Sequence, residues 1–371
     1  MNIGLDINEA NVPQRVGVNR VAFNIFRYLV KNLQTGDKII AFGKENPLPD
    51  MPSSSEKLIY EIFGPKRAWV LTGLTKRLFF GHPKIDALFS PSHYTPLFSF
   101  TPSYIFLMDL SFERFGTEYF TTYDIQQLKK WTPISVRKAK KIFTISEFSK
   151  SEIVHFYRTD PNKIEVVYPS YDKETFHGKV PQTKINAIKK KYDINGQFLF
   201  YWGTIQPRKN LEKLIEAFAQ VERPNLKLVI VGKRGWLYDQ IIEKAKKLGV
   251  DRRVLFVGFA PDEDIPALIK SSRAFVLPSL YEGFGMPVIE SQAVGTPVVV
   301  TRGSSLPEIA GESAIYIEDP NSVQSIKSAL IKVLGLSASN RAKIIKAGKE
   351  NIKRFDWDLS AQKILSIIKK P

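Results

Sequence analysis

Two glutamates with seven residues between them frame the stretch of this sequence that is best suited to chemistry. Glu282 and Glu290 enclose Gly283 and Gly285, whose flexible backbone lets N–H groups approach a ligand closely. An apolar run precedes this stretch, and Pro287 is a favourable first residue for a helix that follows it. A helix N-terminus attracts phosphate, and carboxylates accept hydrogen bonds from hydroxyls. The pattern therefore indicates a site for a phosphate beside a polyol, as in a nucleotide sugar.

A basic pair occurs in a second informative stretch. Arg208 and Lys209 follow the apolar run Phe198–Trp202 and a turn, and Asn210 is the expected N-cap of the next helix. Taken alone, the pair also fits an ordinary charged surface. The loops that follow parallel strands lie at one edge of a sheet, so we expect the pair to lie near Glu282. Arginine offers a planar fork to phosphate oxygens and lysine a point charge, which together suit a diphosphate.

Length and composition indicate a globular protein of two to three domains. The chain has 371 residues, of which 43% are hydrophobic and 25% charged. It contains no cysteine, which excludes disulfides, thiolate metal sites and cysteine nucleophiles. The first residues resemble a strand rather than a signal peptide, and no apolar run approaches the ~20 residues that span a bilayer. We expect a soluble, cytoplasmic protein.

The formal net charge of +17 has two interpretations. A lysine-rich surface can simply favour solubility. It can also attract polyanions, and an anionic membrane surface is then the expected partner. This would make the protein peripheral at the inner face of the plasma membrane. The basic clusters are dispersed and accompany no nucleic-acid motif, so nucleic-acid binding is disfavoured.

Strand-like and helix-like stretches alternate along nearly the whole chain, which predicts an α/β fold. We expect two Rossmann-like, doubly wound parallel-sheet domains facing a cleft. The expected domains are residues 1–180, residues 181–354, and a final helix in 355–371 that crosses back to the first domain. The predicted strands are Ile3–Asp6, Lys38–Phe42, Leu58–Ile62, Ala87–Ser90, Tyr104–Met108, Ile142–Ile145, Ile164–Val167, Phe198–Trp202, Leu226–Val231, Val254–Val257, Ala274–Leu277 and Pro297–Val300.

An ordered set of motifs resembles the retaining glycosyltransferases of family 4, which have the GT-B fold and include mannosyltransferases. The two stretches described above carry the resemblance, which extends over nearly the whole chain. The other motifs that match are Ile3–Asp6, Gly17–Arg20, Ile142–Ser149, Tyr168–Asp172 and Leu306–Glu308.

The resemblance implies a role for each matching residue. Glu290 would bind the ribose of the donor, and Glu282 would contact the transferred sugar. Arg208 and Lys209 would hold the diphosphate, and the loop around Gly17 would close over the phosphates. The backbone N–H groups near the sugar or the phosphates would come from Gly283, Phe284 and Gly285.

The implied activity is the transfer of a hexose, with mannose as a candidate. The donor would be a nucleotide-diphosphate sugar, and the acceptor a hydroxyl of a glycan or of a lipid-linked acceptor. Cations and a helix N-terminus would stabilise the departing diphosphate, so no metal or other cofactor is expected. Another GT-B enzyme, such as a nucleotide-sugar epimerase or a sugar phosphorylase, is the alternative, followed by a basic nucleic-acid-binding protein.

The sequence departs from the family pattern at two positions. Met108 stands before Asp109 where many relatives have histidine, and Thr204 stands where many have arginine. Asp109 could orient the acceptor hydroxyl or help to remove its proton, or it could cap a helix or turn. Without the arginine, phosphate binding would depend more on Arg208 and Lys209.

Two Asp-x-Asp pairs match a pattern of metal-dependent sugar transferases. Asp262 and Asp264 form one pair, and Asp356 and Asp358 the other. Both pairs precede helical stripes, where acidic residues cap a helix and complement its dipole. We therefore predict capping for both pairs and no metal site.

Overall fold

The computed structural model describes residues 1–115, 122–235 and 238–370, which divide into two compact units. The first unit comprises Met1–Pro169 together with Asp356–Pro371, and the second comprises Ser170–Phe355. The division after Pro169 lies earlier in the chain than the expected boundary between residues 180 and 181. The last segment of the chain belongs to the first unit, as the sequence suggested. Pro371 itself lies outside the described residues.

A seven-stranded parallel sheet forms the centre of the first unit, with the strand order β3-β2-β1-β4-β5-β6-β7. Its inner strands are buried on both faces, as is typical of parallel sheets. The strands are β1 (Asn2–Asp6), β2 (Lys38–Gly43), β3 (Leu58–Ile62), β4 (Ala87–Ser90), β5 (Ser103–Leu107), β6 (Lys141–Thr144) and β7 (Ile164–Val166).

Helices connect these strands. They are α1 (Val18–Lys31), α2 (Thr75–Phe80), α3 (Ser111–Phe115), α4 (Thr122–Lys138) and α5 (Glu147–Tyr157). α1 buries the stripe of Val21, Ile25, Phe26 and Leu29 that the sequence pattern predicts.

The second unit has a six-stranded parallel sheet with the order β10-β9-β8-β11-β12-β13. Its strands are β8 (Phe198–Trp202), β9 (Lys227–Val231), β10 (Val254–Gly258), β11 (Ala274–Leu277), β12 (Val298–Thr301) and β13 (Ala314–Ile317). Its helices are α6 (Gln182–Lys191), α7 (Leu211–Ala219), α8 (Tyr238–Lys247), α9 (Ile265–Ser271), α10 (Met286–Val294), α11 (Leu306–Ala310), α12 (Val323–Leu334) and α13 (Ala338–Asn351).

The last helix, α14 (Trp357–Ile368), packs against α1 within the first unit. The Trp357 ring stacks on Tyr28 with 6.2 Å between ring centroids. Asp358 accepts hydrogen bonds from Lys31 Nζ at 2.9 Å and from Asn32 Nδ2 at 2.8 Å. Apolar stacking and polar contacts thus both attach α14 to the body of the unit.

Every predicted strand is present, and each end lies within one residue of the expected position. The sequence analysis missed β13, the edge strand of the second sheet. Its four residues, Ala314–Ile317, form an apolar run as short as that of β11, so its composition does not explain the miss. Its exposure alternates because one face of this edge strand is partly open. In the described part of the chain, no helix is both long enough and apolar enough to cross a membrane.

Candidate functional site

The order of the strands places a crevice in the second unit at the carboxyl ends of β8 and β11. These strands are neighbours, but the chain continues from β8 towards one edge of the sheet and from β11 towards the other. Connections that leave in opposite directions open a crevice, and open α/β sheets bind ligands at such switch points. Residues 203–210 follow β8 and residues 278–285 follow β11. The two stretches singled out in the sequence therefore meet at this point.

A buried cluster of charges joins the two loops. Lys209 Nζ lies 2.5 Å from Glu282 Oε1, and Arg208 Nη1 lies 3.5 Å from Glu282 Oε2. Ser279 Oγ donates a further hydrogen bond to Glu282 Oε1 at 2.7 Å. Glu282 is 7% exposed and Lys209 is 9% exposed. Two cations thus surround one carboxylate, which leaves a net positive charge for an anionic ligand.

The environment of Glu282 keeps its carboxylate ionised. Burial alone would raise the pKa of Glu282, but the charges of Lys209 and Arg208 outweigh burial. Hydrogen bonds from Lys209 and Ser279 act in the same direction, so the pKa of Glu282 lies below its ordinary value. An ionised carboxylate accepts hydrogen bonds and donates none, which suits it to receive sugar hydroxyls.

Backbone contacts fix the loops around the charges. Arg208 Nη1 donates to the Tyr281 carbonyl at 3.0 Å, and Leu280 N donates to the Arg208 carbonyl at 2.8 Å. Asn210 is the N-cap residue of α7, as predicted, but its side chain makes no capping hydrogen bond. Asn210 adopts a left-handed conformation, and its Nδ2 donates to the carbonyls of Pro278 and Pro320 at 3.2 and 2.7 Å. It therefore ties the β8 loop to the end of β11.

The glycine segment before α10 requires glycine at one position. Gly285 has φ +98°, and a Cβ there would come within 2.8 Å of Leu306 Cδ2. Gly283 and Phe284 are buried in the same segment, and the Phe284 ring packs edge-on against Phe355 at 5.5 Å. The backbone before α10 is thus held in a defined path to the helix N-terminus.

Three serines that the sequence analysis did not single out support this path. Ser304 Oγ accepts a hydrogen bond from Glu282 N at 3.1 Å. Ser305 Oγ donates to the carbonyls of Glu282 and Phe284 at 2.9 and 3.0 Å, and Ser279 contacts the carboxylate itself. Ser304 and Ser305 directly precede the motif that begins at Leu306, and this position is the only signal in the sequence that points to them.

Two other predicted donor-binding residues lie in the same unit. Glu290 is 1% exposed and lies in the second turn of α10, as its spacing from Glu282 indicated. Thr204 follows β8, and its carbonyl accepts a hydrogen bond from the Tyr201 hydroxyl at 3.0 Å. This contact helps to fix the conformation of the loop after β8.

The remaining predicted site residues belong to the first unit. Gly17 precedes α1 with φ +49°, a conformation that favours glycine. Asp109 Oδ1 accepts a hydrogen bond from Ser111 N at 2.6 Å, which caps the start of α3. Of the alternatives for Asp109, the structure shows this capping contact. Met108, in place of the family histidine, is buried.

A histidine that the sequence analysis did not single out lies close enough to Asp109 to feel its charge. His93 is in the loop after β4, and its ring packs edge-on against Phe112 of α3 at 5.5 Å. Burial lowers the pKa of His93 to about 4, although the charge of Asp109 acts in the opposite direction. The imidazole is therefore neutral near pH 7. No pattern in the sequence indicates this proximity, because His93 follows β4 and Asp109 follows β5. Only the pairing of these two strands brings their loops together.

The two Asp-x-Asp pairs play structural roles that differ in detail. Asp356 caps α14 by accepting from the N–H groups of Asp358 and Leu359, as predicted. Asp264 lies at the N-cap position of α9, but its side chain makes no capping hydrogen bond; its carboxylate instead accepts from Lys191 Nζ and the Tyr192 hydroxyl, each at 2.6 Å. The described residues contain no group of three or more His, Asp or Glu placed to hold a metal ion.

Two doubly wound parallel sheets in separate units define the GT-B fold, and solved structures agree with this assignment. HepE from Anabaena, in complex with UDP and glucose, superposes with a TM-score of 0.76 over 100% of this chain and 99% of its own at 16% identity. WaaG, a glycosyltransferase involved in lipopolysaccharide biosynthesis, superposes with a TM-score of 0.74 over 100% of both chains at 18% identity. At sequence identities this low, the structural similarity is evidence for the fold alone.

Residues 183–351, a little under half of the chain, match the model of the family "Glycosyl transferases group 1". The O-antigen chain mannosyltransferase B of Escherichia coli is 32% identical over 250 residues, which are 65% of this chain and 63% of that protein. The serotype-specific mannosyltransferase WbdA of Escherichia coli is 28% identical over 226 residues, or 59% of this chain and 27% of that protein. The aligned part thus covers less than two thirds of either relative.

Proposed function

We propose that the protein is a retaining, metal-independent glycosyltransferase. It would move a hexose from a nucleotide-diphosphate sugar to a hydroxyl of a glycan or lipid-linked acceptor. The observation that carries the proposal is the cluster of Arg208, Lys209 and Glu282 at the switch point of the second sheet. Two cations for a diphosphate and an ionised carboxylate for sugar hydroxyls lie within one hydrogen-bonded group.

The geometry supports a specific division of labour. Cleavage of the bond between the sugar C1 and the diphosphate oxygen builds negative charge on the departing diphosphate. Arg208 and Lys209 would stabilise this charge with little reorganisation, because Glu282 and the Tyr281 carbonyl already hold their side chains. The N-terminus of α10 would add its partial positive charge. Glu290 would accept hydrogen bonds from the donor ribose.

The relatives supply the candidate sugar and acceptor. Both Escherichia coli proteins are named mannosyltransferases, and one acts on an O-antigen chain by its name. The structural neighbour HepE was solved with UDP and glucose. Mannose transfer in the synthesis of a polysaccharide is therefore the first activity to test.

Nucleotide binding tests the cluster directly. We expect a nucleoside diphosphate to stabilise the protein against heat, and a panel of nucleotide sugars to identify the donor. Arg208→Ala and Lys209→Ala should each weaken this binding, whereas Arg302→Ala, which removes an exposed ion pair with Glu318, should leave it unchanged. Unchanged affinity for the nucleoside diphosphate in both variants would contradict the assignment of the diphosphate site.

Turnover tests the role of Glu282. With labelled donor, Glu282→Ala should lose more in kcat than in nucleotide affinity, and Glu318→Ala serves as the matched surface control. Activity should persist in the presence of a chelator. A product formed without an acceptor would instead indicate an epimerase, and a requirement for inorganic phosphate would indicate a phosphorylase.

A further inference from the structure

Phe79, Phe80 and Phe100 form an exposed surface on the first unit, which we call the aromatic patch, and Phe98 is exposed two residues before Phe100. Phe79 is 39% exposed, Phe80 76%, Phe98 73% and Phe100 96%. The Phe79 ring lies 6.1 Å from both the Phe80 ring and the Phe100 ring. Burial of a phenylalanine is favourable, so neighbouring rings left in water mark a surface that another body covers.

The topology of the sheet brings the aromatic residues to one edge. Phe79 and Phe80 end α2, just before the chain begins β4, and Phe98 and Phe100 precede β5. Because β4 and β5 are parallel neighbours, the first residues of both strands lie at the amino edge of the sheet. Gly17 and Asp109 follow the carboxyl ends of β1 and β5, at the opposite edge. The aromatic patch is therefore distinct from the predicted site residues of this unit.

Two lysines hold the backbone of the aromatic patch in place. Lys84 Nζ donates to the carbonyl of Phe79 at 2.7 Å. Lys138 Nζ donates to the carbonyl of Pro96 at 2.7 Å and also to that of Leu97. A lysine side chain thus holds the backbone of each segment that carries the exposed rings, so the rings have a fixed position on the surface.

Two exposed lysines lie beside the rings of the aromatic patch. Lys84 Nζ contacts the Phe79 carbonyl, and Lys76 lies one turn before Phe80 in α2. Arg77 of the same helix pairs with Glu61, and the exposed Asp86 accepts a hydrogen bond from Asn2 N. An apolar surface flanked by lysines complements a body that is apolar inside and anionic outside.

We propose that the aromatic patch docks onto an anionic lipid bilayer. The rings would enter the boundary between head groups and acyl chains, and the exposed cations nearby would interact with anionic head groups. The rings protrude from the surface, and a fluid bilayer adapts to protruding side chains. This inference is independent of the glycosyltransferase proposal, because the aromatic patch shares no residue with the cluster around Glu282.

Co-sedimentation of the full chain with vesicles tests the docking. We expect binding to vesicles of phosphatidylcholine mixed with phosphatidylglycerol, and much weaker binding to phosphatidylcholine alone. Phe80→Ser and Phe100→Ser should each reduce the affinity about tenfold, and the double variant more. Leu359→Ser and Ile331→Ser remove exposed apolar side chains elsewhere and should bind like the wild type.

Three results would overturn the proposal. They are equal binding by the double variant and the wild type, binding that ignores the anionic lipid, and self-association of the wild type that the double variant loses. The last result would assign the surface to contacts between copies of the chain. Because the exchanged rings are exposed, we expect unchanged thermal denaturation. Nucleotide binding by the double variant should also stay intact, which separates this proposal from the proposed function.

Discussion

Lys209 and Glu282 form an ion pair of 2.5 Å between the loops that follow β8 and β11. They lie 73 residues apart in the sequence, and each is less than a tenth exposed. Removing two charges from water is costly, and a buried pair contributes little net stability over apolar residues of the same size. Its position at a switch point fits the proposed role of the pair, which is to position charge for a ligand.

Exchange of both partners should separate stability from binding. Lys209→Met leaves Glu282 buried with only Arg208 nearby, and we expect a loss of about 3 kcal/mol in the free energy of unfolding. The double variant Lys209→Met with Glu282→Gln should recover part of this loss, because the buried carboxylate is gone, although Arg208 then loses its ion pair with Glu282. Nucleotide binding should stay weak in both variants. Chemical denaturation and calorimetric titration measure the two quantities.

A surface lysine provides the control for this experiment. Lys246→Met breaks an exposed pair with Glu243 and should change neither stability nor binding. If the double variant binds nucleotide as tightly as the wild type, the pair is only structural.

Asp109 should act through the start of α3. Asp109→Ala removes the acceptor for Ser111 N and should cost about 1 kcal/mol of stability. Asp109→Asn keeps an acceptor oxygen, so we expect wild-type stability and near wild-type turnover. A large loss of turnover in a stable Asp109→Asn variant would instead assign the carboxylate to the acceptor hydroxyl. Thermal denaturation and steady-state kinetics distinguish these outcomes.

Gly285 should tolerate no side chain. Gly285→Ala combines a left-handed φ of +98° with a contact of 2.8 Å to Leu306 Cδ2. We expect a loss of about 2–3 kcal/mol, measured by chemical denaturation. Gly249→Ala is the control, because Gly249 also has a positive φ but its Cβ would meet no atom within 4 Å. A Gly285 variant as stable as the Gly249 variant would contradict the close packing before α10.

His93 should make stability depend on pH in a defined window. Burial lowers the pKa of His93 from its ordinary 6.5 to about 4, against the charge of Asp109. Between these values the unfolded chain binds a proton that the folded protein does not. The stability that His93 contributes is thus present above pH 6.5 and is lost as the pH falls towards 4.

Comparison with a variant isolates this effect. In His93→Gln the free energy of unfolding should fall less steeply over the same window than in the wild type. Denaturation by urea at several pH values measures both slopes. Parallel slopes would show that His93 titrates as an exposed residue does.

The sequence by itself determined the repeating pattern of the fold. The inner strands are continuous apolar runs because both faces of a parallel sheet are buried, and their ends follow from the turns that interrupt them. The edge strand β13 also has an apolar run, but it was not predicted. The basic pair and Glu282 were also visible, because residues that follow buried strands lie at a common edge.

Tertiary structure alone decided what those residues contact. Asn210 and Asp264 have residue types that suit helix caps, but their side chains form hydrogen bonds with residues distant in the sequence instead. The supporting serines around Glu282 and the proximity of His93 to Asp109 likewise depend on which strands become neighbours. Local propensity fixes the elements because it acts over a few residues. Pairing of the strands fixes the site, since it joins residues that no local pattern connects.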